Sequence, residues 1–229
     1  MNISIIVPIL NEAKNIGNLI QHIKNCATAS LAEIIVVDGG SKDDSVAIAK
    51  KSGVLVLESP KPGRAVQMNH GAAMAKGEIL YFVHADTLPP KDFCRDILQA
   101  VSEGYELGCF RFKFDSSRWI LKVNAYFTRF DRIWCRGGDQ TLFILRSAFE
   151  ALEGYDEDYI IMEEHDFILR ANEQYQFKII PNYAIVSPRK YDHNSYLRVQ
   201  LTHLVVFNMF RFGYPQEKIV RTYKRFLNF

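Results

Sequence analysis

The chain lacks both common phosphate loops. In its 229 residues there is no G-x-G-x-x-G after the first apolar run and no G-x-x-x-x-G-K-[ST]. Dinucleotide-binding dehydrogenases and P-loop NTPases need those glycines so that backbone N–H groups can curl around phosphates, and both classes are excluded. Cysteine is scarce: Cys26, Cys94, Cys109 and Cys135 show no C-x-x-C spacing, so neither a zinc site nor a disulfide framework is expected, and a reducing cytoplasm is the expected compartment. No apolar run approaches the roughly 18 to 20 residues that span a bilayer; "LTHLVVFNMF" at 201–210 is far too short. The opening "MNISIIVPILNE" has no cationic start or small-residue cleavage site, and Pro8 interrupts it, so it reads as a strand and not as a signal peptide. A large charge of either sign is also missing: the formal net charge of +2 is too mild for a nucleic-acid partner. That charge is unevenly spread, with eight Lys/Arg against two Asp/Glu from Arg189 to Phe229, which leaves residues 1–188 at −4.

What is present is material for a core: 48% of the residues are hydrophobic, enough for one sizeable domain. "ISIIVPI", "EIIVVD", "VLVLE" and "EILYFV" read as strands, and the segments between them carry helical spacing. That rhythm predicts βαβ crossovers and an α/β fold whose mostly parallel central sheet has helices on both faces. Helices are expected over 12–26, capped by Asn11, over 44–52, started by Ser41 or Asp43, over 64–76, and from Pro89-Pro90 to about Glu103. The second half is richer in aromatics. It predicts a helix near 117–133, strands near 141–146 and 176–187, and closing helices over 194–212 and 215–227. With no repeat, low-complexity tract or linker, residues 1–229 read as one domain, a nucleotide-type half over 1–103 and an acceptor-type half over 104–229.

In an open parallel sheet, ligands bind outside the carboxyl ends of the strands. Polar side chains recur there: Glu12 in "PILNE", Asp38 in "VVDGG", Arg64 in "KPGRA", and His84 and Asp86 in "VHADT". Asp38 before two glycines also suits a plain turn, and Arg64 a solvated helix face. An aspartate at a strand end suits Mg²⁺ or Mn²⁺, which are held by one or two carboxylates plus substrate phosphates. For His84 two readings stand, metal ligation and a hydrogen bond to nearby backbone. Glu163, Glu164 and Asp166 in "MEEHDF" are candidate bases, though acidic residues also favour the first turn of a helix through its dipole.

In this order, these segments resemble the glycosyltransferase family 2 enzymes of the GT-A, nucleotide-diphospho-sugar transferase fold. "IIVPILNEAKNI", "EIIVVDGGSKDDS", "PGRAVQMNHGAAMAKGEILYFVHADT", "GDQTLFILRSAFEALEGYDE" and "IMEEHDFILR" carry the likeness, and the His-Ala-Asp-Thr run is similar to a small subgroup. The resemblance implies an inverting, metal-dependent transferase of a nucleoside diphosphate sugar, with UDP the expected nucleotide and a hydroxyl acceptor of unknown identity. It places Pro8, Leu10 and Glu12 along the nucleotide, Asp38 on the base edge, Arg64 near the phosphates, and Asp86, with or without His84, on Mg²⁺ or Mn²⁺. Glu164 stands where the family keeps its base, with Asp166 in reserve and Glu163 beside them. Asp139 and Gln140 fall in the acceptor loop, whose other reading is a glycine turn. Arg189 and Lys190 either cover the diphosphate or form a solvated basic loop.

The sequence departs from the family in two places: His84 replaces an aspartate of the metal motif, and Glu163-Glu164 replaces a Glu-Asp pair. Processive synthases carry Gln-x-x-Arg-Trp, absent here, so single addition is expected. The rival readings are a sugar-1-phosphate nucleotidyltransferase and a non-catalytic nucleotide-sugar-binding protein. For the basic tail, a lipid surface and a second copy of the chain compete with ordinary packing of the last helices on the domain.

Overall fold

Every side chain of β1 (Ile3–Ile9) is buried, and successive residues go to opposite layers. Ile3, Ile5, Val7 and Ile9 enter one core, while Ile6 enters the other. The same division holds in β4 (Ile79–Phe82), where Ile79 and Tyr81 face one way and Leu80 and Phe82 the other. Strands buried on both faces read as continuous apolar runs, which is why these were legible. The computed structural model describes residues 1–227; 228 and 229, the end of the expected domain and basic tail, lie outside the described residues.

β2 (Leu31–Asp38) and β3 (Leu55–Glu58) complete a parallel set with β1 and β4. The crossovers are α1 (Ile16–Cys26), α2 (Ser45–Lys51) and α3 (Arg64–Met74). The chain then adds β5 (Thr87–Leu88), α4 (Phe93–Ser102), β6 (Leu107–Phe114), α5 (Trp119–Tyr126), β7 (Leu142–Leu145), α6 (Arg146–Ala151), α7 (Glu163–Asn172) and β8 (Phe177–Val186). It closes with α8 (Tyr196–Arg211) and α9 (Gln216–Phe226). One sheet of eight strands, in the order β3-β2-β1-β4-β7-β6-β8-β5, runs through both halves of the chain. Only β7 and the short β5 run against the rest.

Three sequence expectations are corrected. Asn11 does not cap α1. With φ of 56° it sits in the left-handed region, its side-chain oxygen accepts from Lys42 N–H, and the helix begins at Ile16. The helix expected over 117–133 stops at Tyr126 and gives way to 3₁₀ turns at Phe127–Arg129 and Ile133–Cys135. The cause is buried Arg136, whose guanidinium needs acceptors and receives the carbonyls of Thr128 (3.4 Å) and Phe130 (2.7 Å), so the chain folds around it. Third, β6 was not foreseen as a strand: Arg111 and Lys113 interrupt its apolar row, yet it pairs with both β7 and β8.

The tail helices pack on the domain along one stripe each. Val199, Thr202 and Val206 of α8 and Ile219 of α9 are buried, whereas Leu197, Leu201, Leu204 and Val205 stay exposed. Among the described residues, no helix is long and apolar enough to cross a membrane.

Candidate active site

The carboxyl ends of β1, β2 and β4 lie together at one edge of the sheet, where a parallel α/β sheet forms its ligand crevice, and the second half of the chain brings residues against them. β8 ends beside Asp86, because Thr87 pairs with Val186 and Ser187 N–H donates to Asp86 O at 3.0 Å. The 3₁₀ turn that follows, Arg189–Tyr191, delivers Arg189 to two carboxylates at once. Its guanidinium grips Glu12 with two bonds, 2.9 Å to Oε2 and 2.6 Å to Oε1, and reaches Asp86 Oδ2 at 3.0 Å. Glu12 raises the Arg189 pKa further, against the cost of burial. Asn15 also donates to Glu12 Oε2 at 2.6 Å, which fixes that carboxylate.

The three acidic residues at the start of α7 go to three different partners. Glu163 accepts from Arg64 at 3.1 Å, across 99 residues of sequence. Glu164 Oε1 lies 3.0 Å from His84 Nε2. Asp166 turns away and accepts from Arg170 at 2.9 Å within its own helix. Glu163 and Glu164 are buried, and their pKa values diverge. Burial pushes Glu163 up in spite of Arg64. Burial would do the same to Glu164, but His84 and Arg64 overcome it and hold that carboxylate at about 2. Burial lowers the His84 pKa and Glu164 raises it, with a net upward shift. Nε2 of His84 therefore faces the Glu164 carboxylate, a partner that neither reading of this residue from the sequence named.

Gly138 explains how this pair is enclosed. A Cβ built there would stand 1.9 Å from His84 Cε1 and 2.3 Å from Glu164 Oε1. No side chain fits, so the backbone itself closes over the imidazole and carboxylate. Asp139, next along, is half-buried and helps to raise the pKa of Lys190 and of His84. Gln140 differs from expectation. It is 1% exposed, and its amide joins the Arg136 network, accepting from Arg136 at 3.1 Å while donating to Cys135 O at 2.8 Å. It supports the loop from beneath, and with Gly138 and Glu164 it lines a small cavity there.

At the β2 end, Asp38 is 7% exposed and accepts the N–H groups of Gly40 (3.0 Å) and Ser41 (3.0 Å). Pro8 is buried within β1, and Leu10 is 55% exposed at the crevice rim. Gln67 was not singled out from the sequence. Buried on α3, it donates to Ile9 O (2.8 Å) and Val37 O (2.7 Å), tying together the two strand ends that carry Leu10 and Asp38. His203 of α8 was also missed. Burial and neighbouring Lys190 lower its pKa to about 4, and its ring stacks on Tyr223 of α9 at 6.2 Å.

A mostly parallel α/β sheet with this acid-and-base crevice outside its strand ends is the GT-A class of fold. Residues 4–151 match Glycosyl transferase family 2, and the chain belongs to that family. An uncharacterized glycosyltransferase of Mycobacterium tuberculosis is 29% identical over 178 residues, 74% of this chain and 68% of that protein. A glucosyl-3-phosphoglycerate synthase of Mycolicibacterium smegmatis is 29% identical over 96 residues, 38% of this chain and 32% of that protein. Among solved structures, S. aureus TarS residues 1–349 in complex with UDP-GlcNAc superposes with a TM-score of 0.69 at 17% identity, covering 99% of this chain and 71% of that one. The glucosyl-3-phosphoglycerate synthase of Mycobacterium tuberculosis, in complex with Mn²⁺, UDP-glucose and phosphoglyceric acid, superposes at 0.67 with 18% identity, covering 93% and 80%.

Proposed function

We propose that the protein is an inverting, metal-dependent glycosyltransferase that moves a sugar from a nucleoside diphosphate, UDP in the first instance, to a hydroxyl acceptor. The observation that carries this reading is the presence of two ion-paired carboxylate centres at the strand ends: Asp86 and Glu12 joined by Arg189, and Glu164 beside His84. Direct inversion needs two such centres, because a proton acceptor must stand opposite the departing diphosphate. The Mn²⁺ and UDP-sugars bound by the solved relatives agree with it.

Among the described residues, no group of three His, Cys, Asp or Glu side chains gathers to hold a metal by itself. A single carboxylate completed by substrate phosphates suits Mg²⁺ or Mn²⁺, so Asp86 fits as the protein ligand. Bound there, the ion would neutralise the charge that builds on the leaving diphosphate. Arg189 must share or release Asp86 when the donor enters, and a guanidinium beside a diphosphate has bidentate acceptors waiting. Asp38, with its carboxylate oriented by two backbone N–H groups, would accept from the base, while Pro8, Leu10 and Glu12 line the nucleotide. Arg64, held by Glu163, would face the phosphates. Glu164 takes the role of base, an acceptor hydroxyl sharing it with His84, and Asp166, which accepts from Arg170, stands in reserve.

Calorimetric titration with UDP, with and without Mn²⁺, and assays of UDP release from nucleotide sugars test the scheme. Asp86→Asn should lose the metal-dependent part of UDP affinity. Glu164→Gln should keep it while turnover falls about 10² to 10⁴-fold, as for a lost acid–base group. Equal UDP affinity in wild type and Asp86→Asn would refute the metal assignment. Wild-type protein that binds UDP-sugars but releases no UDP would be a binding module. Consumption of a sugar 1-phosphate with a nucleoside triphosphate would identify a nucleotidyltransferase, although "PILNEAKN" after β1 lacks the glycines and basic residues that activity needs.

A further inference from the structure

Away from the crevice, α5 and the two 3₁₀ turns after it carry an exposed aromatic surface. Trp119 (72% exposed), Val123, Tyr126 and Phe127 recur at i, i+4, i+7 and i+8, one face of the helix, while Leu121 and Ala125 bury the opposite face. The row continues through ring contacts: Phe127 meets Phe130 at 6.2 Å and Trp134 at 6.1 Å, and Tyr126 meets Phe130 at 5.9 Å. Phe130 and Trp134 are themselves exposed. Arg118, Lys122 and Arg132 stand exposed around this face, and Arg129 lies over the Tyr126 ring at 3.7 Å. Of the acidic residues beside this face, Asp131 is paired with Arg136 and Asp192 lies 3.8 Å from Arg118, which leaves Lys122 and Arg132 as its exposed charges.

We propose that this face docks on an anionic lipid bilayer. Its composition matches that interface. Tryptophan and tyrosine rings sit at headgroup depth, phenylalanine and valine reach the acyl boundary, and arginine and lysine meet lipid phosphates. Charge decides between lipid and a second copy of the chain. A two-fold self-contact would bring the exposed Lys122 and Arg132 of both copies, with Arg129, to one rim, which opposes association. An anionic leaflet neutralises them. Docking does not depend on the transfer reaction, but it would set the crevice near the lipid, since Trp134 precedes Gly138 by four residues.

The chain's two tryptophans, Trp119 and Trp134, both lie on this face, so tryptophan emission, excited selectively over the tyrosines, reports on it alone. The full chain is mixed with phosphatidylcholine vesicles with and without phosphatidylglycerol, and is followed by emission, by quenching with brominated acyl chains and by cosedimentation. The expected result is a blue shift and quenching with the anionic vesicles. Arg118→Gln/Lys122→Gln/Arg132→Gln should weaken binding roughly a hundredfold, and Phe130→Ser should weaken it with unchanged circular dichroism and UDP affinity. Failure to pellet at low salt overturns the proposal. Pelleting without any change in emission assigns binding to another face and overturns it too. A blue shift without vesicles, accompanied by a doubled mass in light scattering, gives the face to a second copy.

Discussion

Gly138 is the residue on which the His84–Glu164 contact depends. Alanine there would drive a methyl group into the tips of both side chains, and burial leaves those tips little room to swing aside. Gly138→Ala should cost about 1 to 3 kcal/mol, the usual penalty of overpacking, and should separate the pair, so turnover falls while UDP affinity persists. Denaturant melts and UDP titration check both parts, and unchanged stability would mean that the loop yields. The pH dependence belongs to His203. Its folded pKa of about 4 lies below the ordinary imidazole value of 6.5, through burial first and then the Lys190 charge, with His165 acting the same way and Asp139 opposing. A histidine held neutral contributes stability above its unfolded pKa and loses it as pH falls toward the folded one. Unfolding free energy should therefore drop by roughly 1 to 3 kcal/mol between about pH 6.5 and 4. His203→Gln should flatten that part of the curve, and parallel curves for the two proteins would contradict the assignment. Individual candidate residues were legible because strand ends are where ligands gather: Glu12, Asp38, Arg64 and Asp86 all come after apolar runs. Their partners were not. Arg189 meets Glu12 across 177 residues, and His84 meets Glu164 by a fold that spacing cannot report.

The elements divide by how much of each is covered. Strands buried on both faces announced themselves, whereas β6, with Arg111 and Lys113 among its phenylalanines, did not; its alternation of Phe110, Phe112 and Phe114 was the signal that charge obscured. Helix α5 was overextended because nothing local marks its end. The terminator is Arg136, ten residues beyond Tyr126, collecting carbonyls from the turn. On α8 the two faces predict opposite sensitivities. Val199 is 0% exposed against Leu121 and Leu227, and Val199→Ala should cost about 1 to 3 kcal/mol. Leu201, 60% exposed, should tolerate serine within about 0.5 kcal/mol. Thermal or urea melts of the two variants decide, and a large loss in the Leu201 variant would show that this row is covered in solution.

For the whole molecule, the sheet order has a consequence in time. β1 to β4 pair among neighbours made early in the chain, but β7 must insert between β4 and β6, and β8 must find β6 and β5 before Arg189 can reach Asp86. Pairings between distant segments form slowly, because loop closure must precede the contacts that reward it. During refolding, amides of β1, β2 and β4 should gain protection from hydrogen exchange before those of β6 and β8, which pulse labelling with mass spectrometry can resolve. Simultaneous protection would indicate one cooperative step. A nascent chain would thus own a finished parallel sheet while Asp86 and Glu12 still repel each other across an open crevice, and the arrival of β8 would both close the sheet and neutralise that repulsion. The last strand made thus acts as the clasp of the site.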